Sequence, residues 1–213
     1  MIKVLNLYAG IGGNRKLWPN EEIEVTAIEL NPEIAKIYNY FFPNDKLLVT
    51  DAHKYLLEHY TEFDFIWTSP PCPTHSRMRF LWATDHETKQ KIVYYPDMKL
   101  YEEIIFLSNF FKGLYVVENV ISYYDPLIKP QISGKHYFWA NFNILKSEPI
   151  DRHIRRDNKK DKWGFDLSNF DLKEDLRTKM LNNLVNPILA LNIFKCAFKT
   201  KQKTLIENEM FNM

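Results

Sequence analysis

The stretch Lys3–Gly13, Lys-Val-Leu-Asn-Leu-Tyr-Ala-Gly-Ile-Gly-Gly, decides the fold. Its first half, Lys3–Leu7, is apolar-rich and has the length of a buried strand, and its second half is a turn with three glycines. Glycine lets the backbone turn sharply and approach a ligand closely, although tight turns also need glycine for steric reasons alone. A second strand-like run, Ile23–Glu29, follows. The pattern predicts two buried strands, the first ending in a candidate ligand-binding turn.

Strand-like and helix-like stretches alternate from the N-terminus to Asn119. Further strands are predicted at residues 46–49, 63–67 and 114–117, and helices at residues 33–42, from about 53, and at 98–111. Such alternation is typical of a parallel sheet with helices packed on both faces. We therefore predict an α/β fold of the Rossmann-like type.

The pattern changes after Asn119. Residues 137–145 read as two short strands with no long helix before them, which predicts an antiparallel edge to the sheet. The segment 151–162 carries six Lys or Arg against three Asp and is interpreted as a loop or insertion. Residues 172–198 have a helical pattern, and residues 199–213 form a polar tail.

Composition narrows the class of protein. The 213 residues have a formal net charge of +1, which by itself does not indicate a nucleic-acid-binding protein. No apolar run is long enough to span a membrane, and two distant cysteines fit neither a disulfide framework nor a zinc cluster. We expect a cytoplasmic protein with no metal and no membrane contact. Its richness in lysine, asparagine and isoleucine suggests an AT-rich bacterial or phage genome.

Two residues follow predicted strands as a catalytic pair would. Cys72 stands in Thr68–Pro73, Thr-Ser-Pro-Pro-Cys-Pro, directly after a strand-like run, so the thiol is presented at the sheet edge where ligands bind. Glu118 ends the next apolar strand. A thiol can add to an electron-poor ring while a carboxyl group bonds a ring nitrogen. The alternatives are an inert buried cysteine and an ordinary turn after the strand.

Acidic residues at two further strand ends indicate a nucleoside ligand. Glu29 ends the second predicted strand, where a carboxylate can take a ribose diol, and Asp51 follows the third. The glycine turn lacks the full dinucleotide spacing. A cofactor with a single nucleoside therefore fits better than a dinucleotide.

These residues, in this order, resemble the cytosine-C5 DNA methyltransferase family. Tyr8–Gly13 is similar to its cofactor turn, Glu29 to its ribose acid and Asp51 to its adenine contact. Pro70–Cys72 is similar to its nucleophile motif and Glu118–Val120 to its Glu-Asn-Val motif. Residues 131–142 and 182–187 resemble, more loosely, the later basic motif and the final helix motif.

The resemblance implies S-adenosylmethionine as cofactor and double-stranded DNA with a flipped cytosine as partner. Cys72 would attack C6, Glu118 would act at N3, Asn119 would shape the loop behind it, and Lys135 would stand where the family usually has arginine. Pro73 replaces the usual glutamine. The implied cofactor-binding residues are Tyr8, Gly10, Ile11, Gly12, Gly13, Glu29, Leu30, Asp51, Ala52, Pro70 and Asn183.

The nucleic-acid contacts implied by the resemblance lie in two basic segments. They are Ser76, Arg77, Arg79, Arg155 and Arg156. The segment 72–98 is interpreted as a loop that closes over the substrate, with a plain surface loop as the alternative. The family normally carries a sizeable recognition domain, whereas here a reduced insert at about 146–176 interrupts a single catalytic domain, 1–198. This predicts short or relaxed sequence specificity, or a partner that supplies specificity.

Two alternatives stay open at the level of the sequence. One is C5 methylation of cytosine in tRNA or in a free nucleotide, because one branch of the family acts on RNA with nearly the same motifs. The other is a subunit that binds cofactor or DNA and needs a companion chain. Intact Cys72 and Glu118 argue against a decayed enzyme and the final motif argues against a split one, and DNA methylation, as in restriction and modification, is the leading hypothesis.

Overall fold

Seven strands form one sheet in the computed structural model, which describes residues 1–77, 95–147 and 161–198. They are β1 (Ile2–Leu7), β2 (Ile23–Glu29), β3 (Lys46–Val49), β4 (Phe65–Thr68), β5 (Leu114–Val120), β6 (Gln131–Ser133) and β7 (His136–Ala140). The order across the sheet is β3-β2-β1-β4-β5-β7-β6. Strands β1 to β5 pair in parallel, and β7 is antiparallel to both β5 and β6. The predicted mostly parallel sheet is confirmed.

Three of the five described α-helices begin at a side-chain cap. The helices are α1 (Pro32–Phe41), α2 (Ala52–His59), α3 (Lys99–Phe110), α4 (Glu174–Asn182) and α5 (Pro187–Ala197). The three with a side-chain cap are α1, α2 and α5. Asn31 and Asn186 accept backbone N–H groups at the starts of α1 and α5, each followed by a proline whose missing N–H costs nothing there. The predicted helical region 172–198 is two helices, because the chain ends α4 before the Asn186 cap.

The two faces of the sheet bury separate apolar layers, as strand alternation requires. On one face, Leu5 and Leu7 of β1 pack in a cluster that includes Leu56 of α2 and Leu107 of α3. On the other face, Val4 lies in a cluster with Phe194 of α5. Helices therefore cover both faces, and the carboxyl ends of the parallel strands stay at one open edge of the sheet.

The antiparallel edge was placed too late in the sequence. The prediction of two strands in residues 137–145 is wrong in its bounds, since the hairpin is β6 and β7, residues 131–140. Gly134, at φ +58, makes the turn between them. Beyond β7, the Asn141 side chain bonds the backbone of Tyr115 and Gly113, so this part of the chain caps β5 and does not pair as a strand.

The connection from β1 to β2 departs from simple alternation. Residues 8–22 make turns and no helix. In these turns the Trp18 side chain covers the sheet where a connecting helix would otherwise pack, since it is buried against Phe65 and Phe194. Arg15 pairs with Asp45 at 2.8 Å, which fixes these turns to the loop after α1.

The described part of the predicted insert, 146–176, packs on the main domain. Two short strands, β8 (Asp161–Lys162) and β9 (Phe165–Asp166), form a separate two-stranded sheet. Phe165 and Leu167 are fully buried in a cluster with Ile37 of α1 and Leu181 of α4. Residues 148–160 of the insert and the predicted tail 199–213 lie outside the described residues. None of the helices described combines the length and the apolar character needed to cross a membrane.

Candidate active site

Cys72 and Glu118 come together at the carboxyl ends of two paired strands. Thr68, the last residue of β4, is opposite Val117 of β5, so the loop after β4 meets Glu118. Glu118 is buried and Cys72 is half-buried. Burial raises the pKa of the Cys72 thiol, and the negative charge of Glu118 raises that pKa further. The thiol of the free protein is therefore protonated at neutral pH.

The loop that carries Cys72 is fixed from both sides. The Cys72 carbonyl oxygen accepts the backbone N–H of His75 at 2.9 Å and that of Ser76 at 3.0 Å. The Asn119 side chain donates to the Pro70 carbonyl oxygen at 3.0 Å. Ser76 also pairs with Ser122 in an isolated bridge. Asn119 thus ties the end of β5 to the loop that carries Cys72.

His136 is the residue of this site that sequence reasoning missed. It is opposite Val120 in the β5–β7 pairing, and its Nε2 lies 3.7 Å from Oε1 of Glu118. That distance is too long for a good hydrogen bond but well within the range of an electrostatic interaction. Lys135, the predicted catalytic residue beside it, is exposed in the turn between β6 and β7. Strand alternation would have selected His136 had the hairpin bounds been known.

Glu29 shapes the predicted cofactor turn. Its Oε2 accepts the backbone N–H of Gly10 at 3.0 Å, and its Oε1 accepts that of Asn31 at 2.8 Å. Each carboxylate oxygen keeps acceptor capacity for a ribose hydroxyl. Gly10 has φ +55 and no atom within 4 Å of the place a Cβ would take, and Leu30 is 66% exposed. Open space beside the backbone, a carboxylate and an exposed apolar side chain fit the adenosyl group of S-adenosylmethionine.

The remaining predicted cofactor residues surround this turn. Asp51 is exposed and caps α2 by accepting the Lys54 N–H at 2.8 Å, with Ala52 buried behind it. Tyr8 and Ile11 begin and continue the turn, and Pro70 lies buried before Cys72. Asn183 is exposed at the end of α4.

Gly12 and Gly13 bring two other segments against the turn. Gly12 has φ +88, and an added Cβ would overlap the Phe42 ring. At Gly13 a Cβ would lie 2.7 Å from the carbonyl oxygen of Val185 and 2.8 Å from Cδ2 of Leu184. The segment between α4 and α5, which belongs to the residues that resemble the family's final helix motif, thus packs directly on the cofactor turn.

Gly13→Ala is expected to lower the free energy of unfolding by about 1–3 kcal/mol, because the Val185 carbonyl is backbone and cannot rotate away. Urea unfolding monitored by circular dichroism measures this. Gly10→Ala is a comparison of a different kind, since it adds a methyl into open space and any loss of stability there, about 1–2 kcal/mol, comes from the left-handed backbone and not from packing. An unfolding free energy for Gly13→Ala equal to that of the native chain would contradict the packing.

The predicted nucleic-acid contacts are only partly described. Ser76 and Arg77 follow the Cys72 loop, and Arg77 is exposed. Arg79, Arg155 and Arg156 lie outside the described residues, as does most of the predicted closing loop 72–98. Within the described ranges, no three His, Cys, Asp or Glu residues are grouped so as to hold a metal ion.

Known sequences match the part of the chain that carries the cofactor turn and Cys72. A family model described as C-5 cytosine-specific DNA methylase matches residues 2–104. The tRNA (cytosine(38)-C(5))-methyltransferases of Homo sapiens and Bos taurus are 34% and 32% identical over 82 residues. Each alignment covers 36% of this chain and 21% of the relative, so the chain spans about one fifth of the length of these curated relatives.

A solved structure agrees with the fold. A methyltransferase of Entamoeba histolytica superposes with a TM-score of 0.58 at 12% identity, and the match covers 93% of this chain and 98% of that one. At this identity the likeness establishes the fold alone. It is the class I methyltransferase fold, with an antiparallel hairpin at one edge of a parallel sheet.

Proposed function

We propose that the chain belongs to the C-5 cytosine-specific DNA methylase family, whose model matches residues 2–104, and that it transfers a methyl group from S-adenosylmethionine to C5 of cytosine in a nucleic acid. One observation carries the proposal: a half-buried thiol, Cys72, in the loop after β4 lies within electrostatic range of a buried carboxyl group, Glu118, near the end of the neighbouring strand β5. With this pair of groups a thiol can add to an electron-poor ring while the carboxyl group bonds a ring nitrogen.

The chemistry follows from the two side chains. Cys72 gives its thiol proton to Glu118, and the resulting thiolate adds to C6 of cytosine while Glu118 passes that proton to N3, so the ring electrons move to C5. C5 then takes the methyl group. Loss of the C5 proton to a base, return of the N3 proton to Glu118 and expulsion of the thiolate restore the aromatic ring and the enzyme. S-adenosylmethionine supplies an electrophilic methyl group bound to a sulfonium.

In the free protein the Cys72 thiol is kept protonated. Because burial and, to a lesser extent, the charge of Glu118 keep the Cys72 pKa above its ordinary value, neutralising Glu118 increases the thiolate fraction at a given pH. His136, whose Nε2 lies 3.7 Å from Oε1 of Glu118, places an imidazole beside that carboxyl group. The proton that Glu118 delivers to N3 is thus linked to the charge on Cys72.

Cofactor binding is assigned to the carboxyl ends of β1, β2 and β3. We propose that Glu29 binds the ribose hydroxyls, Leu30 packs on the adenine, and Asp51 accepts from its amino group through the oxygen that does not cap α2. The glycine turn Tyr8–Gly13 would follow the methionine part. Its backbone comes close to the ligand because Gly10 carries no side chain.

DNA and tRNA are both candidate substrates. The family description favours DNA, the first candidate, whereas the names of the two curated relatives favour tRNA. A flipped or unpaired cytosine meets the same Cys72 and Glu118 in either polymer. Specificity in DNA would be short or relaxed, or supplied by a partner chain, because the segment available for reading bases is small.

The test incubates the purified chain with radiolabelled S-adenosylmethionine and, separately, duplex DNA of mixed sequence, tRNA and CMP. We expect 5-methylcytosine in one of the two polymers, and mapping of the modified positions gives the sequence context. The Cys72→Ser chain is the control. Label that persists in the control, or that appears in a base other than cytosine, would overturn the proposal, and label only after addition of a cell extract would point to a partner chain.

A further inference from the structure

Glu103 of α3 is a fully buried carboxylate with three polar partners. Its Oε1 accepts the Tyr8 hydroxyl at 2.6 Å, and its Oε2 accepts the Thr68 hydroxyl at 2.7 Å. The Nδ1 atom of His53 lies 3.2 Å from Oε1. A carboxylate taken out of water is costly unless it is hydrogen-bonded or paired, and here two hydroxyls and an imidazole serve that purpose.

The three partners come from three different segments of the candidate site. Tyr8 begins the cofactor turn after β1, and His53 stands in the first turn of α2, two residues after Asp51. Thr68 is the last residue of β4, four residues before Cys72. A single side chain from α3 therefore joins the cofactor turn, the adenine side of the pocket and the nucleophile loop.

The backbone of Tyr8 gives a second, independent indication. Tyr8 has φ +55, a left-handed conformation that a residue with a side chain seldom adopts. Such a residue persists where its surroundings fix it, and strained positions of this kind cluster at functional sites. The hydroxyl bond to Glu103, at 2.6 Å, fixes the Tyr8 side chain and with it the entry to the glycine turn.

We propose that Glu103 is a positioning residue that holds the cofactor turn and the Cys72 loop in one arrangement, through Tyr8 and Thr68 respectively. The identity of the ligand rests on the proposed function, whereas the geometry of the three contacts does not. Glu103 touches neither cofactor nor substrate in this scheme. Its removal changes affinity for the cofactor and the environment of the thiol, because both segments lose the same anchor.

The first readout is binding of S-adenosylhomocysteine by isothermal titration calorimetry. Glu103→Gln and Tyr8→Phe are each expected to weaken binding at least about tenfold, the scale of one hydrogen bond to a charged group. The double variant should be no weaker than Glu103→Gln alone, because both changes break the same contact. Glu102→Gln is the matched control: it neutralises the neighbouring glutamate, whose side chain is 61% exposed and lies 3.6 Å from His53.

The second readout is the alkylation rate of Cys72 by iodoacetamide, in a chain whose other cysteine is changed by Cys196→Ser. Glu103→Gln and Thr68→Val are expected to change this rate at least about threefold without any cofactor present, and Glu102→Gln is not. Circular dichroism and thermal unfolding show whether each variant is folded. If Glu103→Gln fails to fold, Tyr8→Phe and Thr68→Val decide the outcome alone.

The outcomes separate this proposal from the proposed function. Folded variants with lower melting temperatures but native binding and native alkylation would reduce Glu103 to a stabilising residue and overturn the proposal. A native chain that binds S-adenosylhomocysteine but methylates no nucleic acid would refute the proposed function and leave the Glu103 test intact. If the native chain binds no S-adenosylhomocysteine, the alkylation rates decide.

Discussion

Cys72→Ala is expected to abolish methyl transfer to background and to leave S-adenosylmethionine binding within a few-fold. The alanine side chain has no nucleophilic atom that could attack C6 of cytosine. Without a bond at C6, the C5 atom is not nucleophilic enough to be methylated. Cofactor binding persists because the contacts of the glycine turn and Glu29 do not involve the thiol. Radiolabel transfer and isothermal titration calorimetry give the two values.

Cys196→Ala is the matched control, since Cys196 is also half-buried but lies on α5, away from the strand ends. It should retain native turnover. A substrate containing 5-fluorocytosine should form a covalent adduct with the native chain and with Cys196→Ala. Fluorine takes the place of the C5 proton whose loss would release Cys72. Turnover by Cys72→Ala above background would eliminate the covalent route.

Glu118→Gln should have opposite effects on catalysis and on the reactivity of the thiol. Turnover is expected to fall by about 10²–10⁴-fold, the usual contribution of a positioned acid or base, because glutamine cannot give a proton to N3. Alkylation of Cys72 should become faster at pH 8. The negative charge of Glu118 raises the Cys72 pKa, so its removal lowers that pKa and increases the thiolate fraction at a fixed pH.

The pH dependence of the Cys72 alkylation rate shows in which direction Glu118 shifts the pKa of the thiol. In the native chain the alkylation rate should still be rising at pH 9.0, the ordinary pKa of a cysteine thiol, because the pKa of Cys72 lies above it. In Glu118→Gln the same curve should shift to lower pH without reaching the profile of a free thiol, since burial is the larger cause and remains. Glu58→Gln, an exposed glutamate on α2, should leave the curve unchanged. Slower alkylation in Glu118→Gln would show that Glu118 does not act on the thiol through its charge.

Local patterns in the sequence were sufficient for the parallel part of the fold. The sequence patterns predicted the bounds of β1, β2, β3, β5, α1 and α3 to within a few residues. Apolar periodicity and helix-end residues act over short distances, so they can be recognised in the sequence. The same patterns placed Glu29, Asp51, Cys72 and Glu118 at strand ends. In a parallel sheet all such ends lie along one edge, so their proximity follows from topology.

The hairpin and the contacts across the site were decided by the tertiary structure. Hairpin bounds depend on which residues of β7 pair with β5, and that register puts His136, and not Lys135, beside Glu118. Residues 137–145 contain several β-forming side chains, so composition alone allowed more than one placement.

The sequence by itself determined which motifs follow the parallel strands and in what order. It also determined the family resemblance and the candidate nucleophile and acid, because each of these depends on a short contiguous segment. Only the tertiary structure decided the burial and the contacts of Glu103. The contact between Tyr8 and Glu103 joins residues 95 positions apart, and in the sequence Glu103 is one of two adjacent glutamates on a helix. Which of the two is buried depends on how α3 rotates against the sheet, and packing between distant segments sets that rotation.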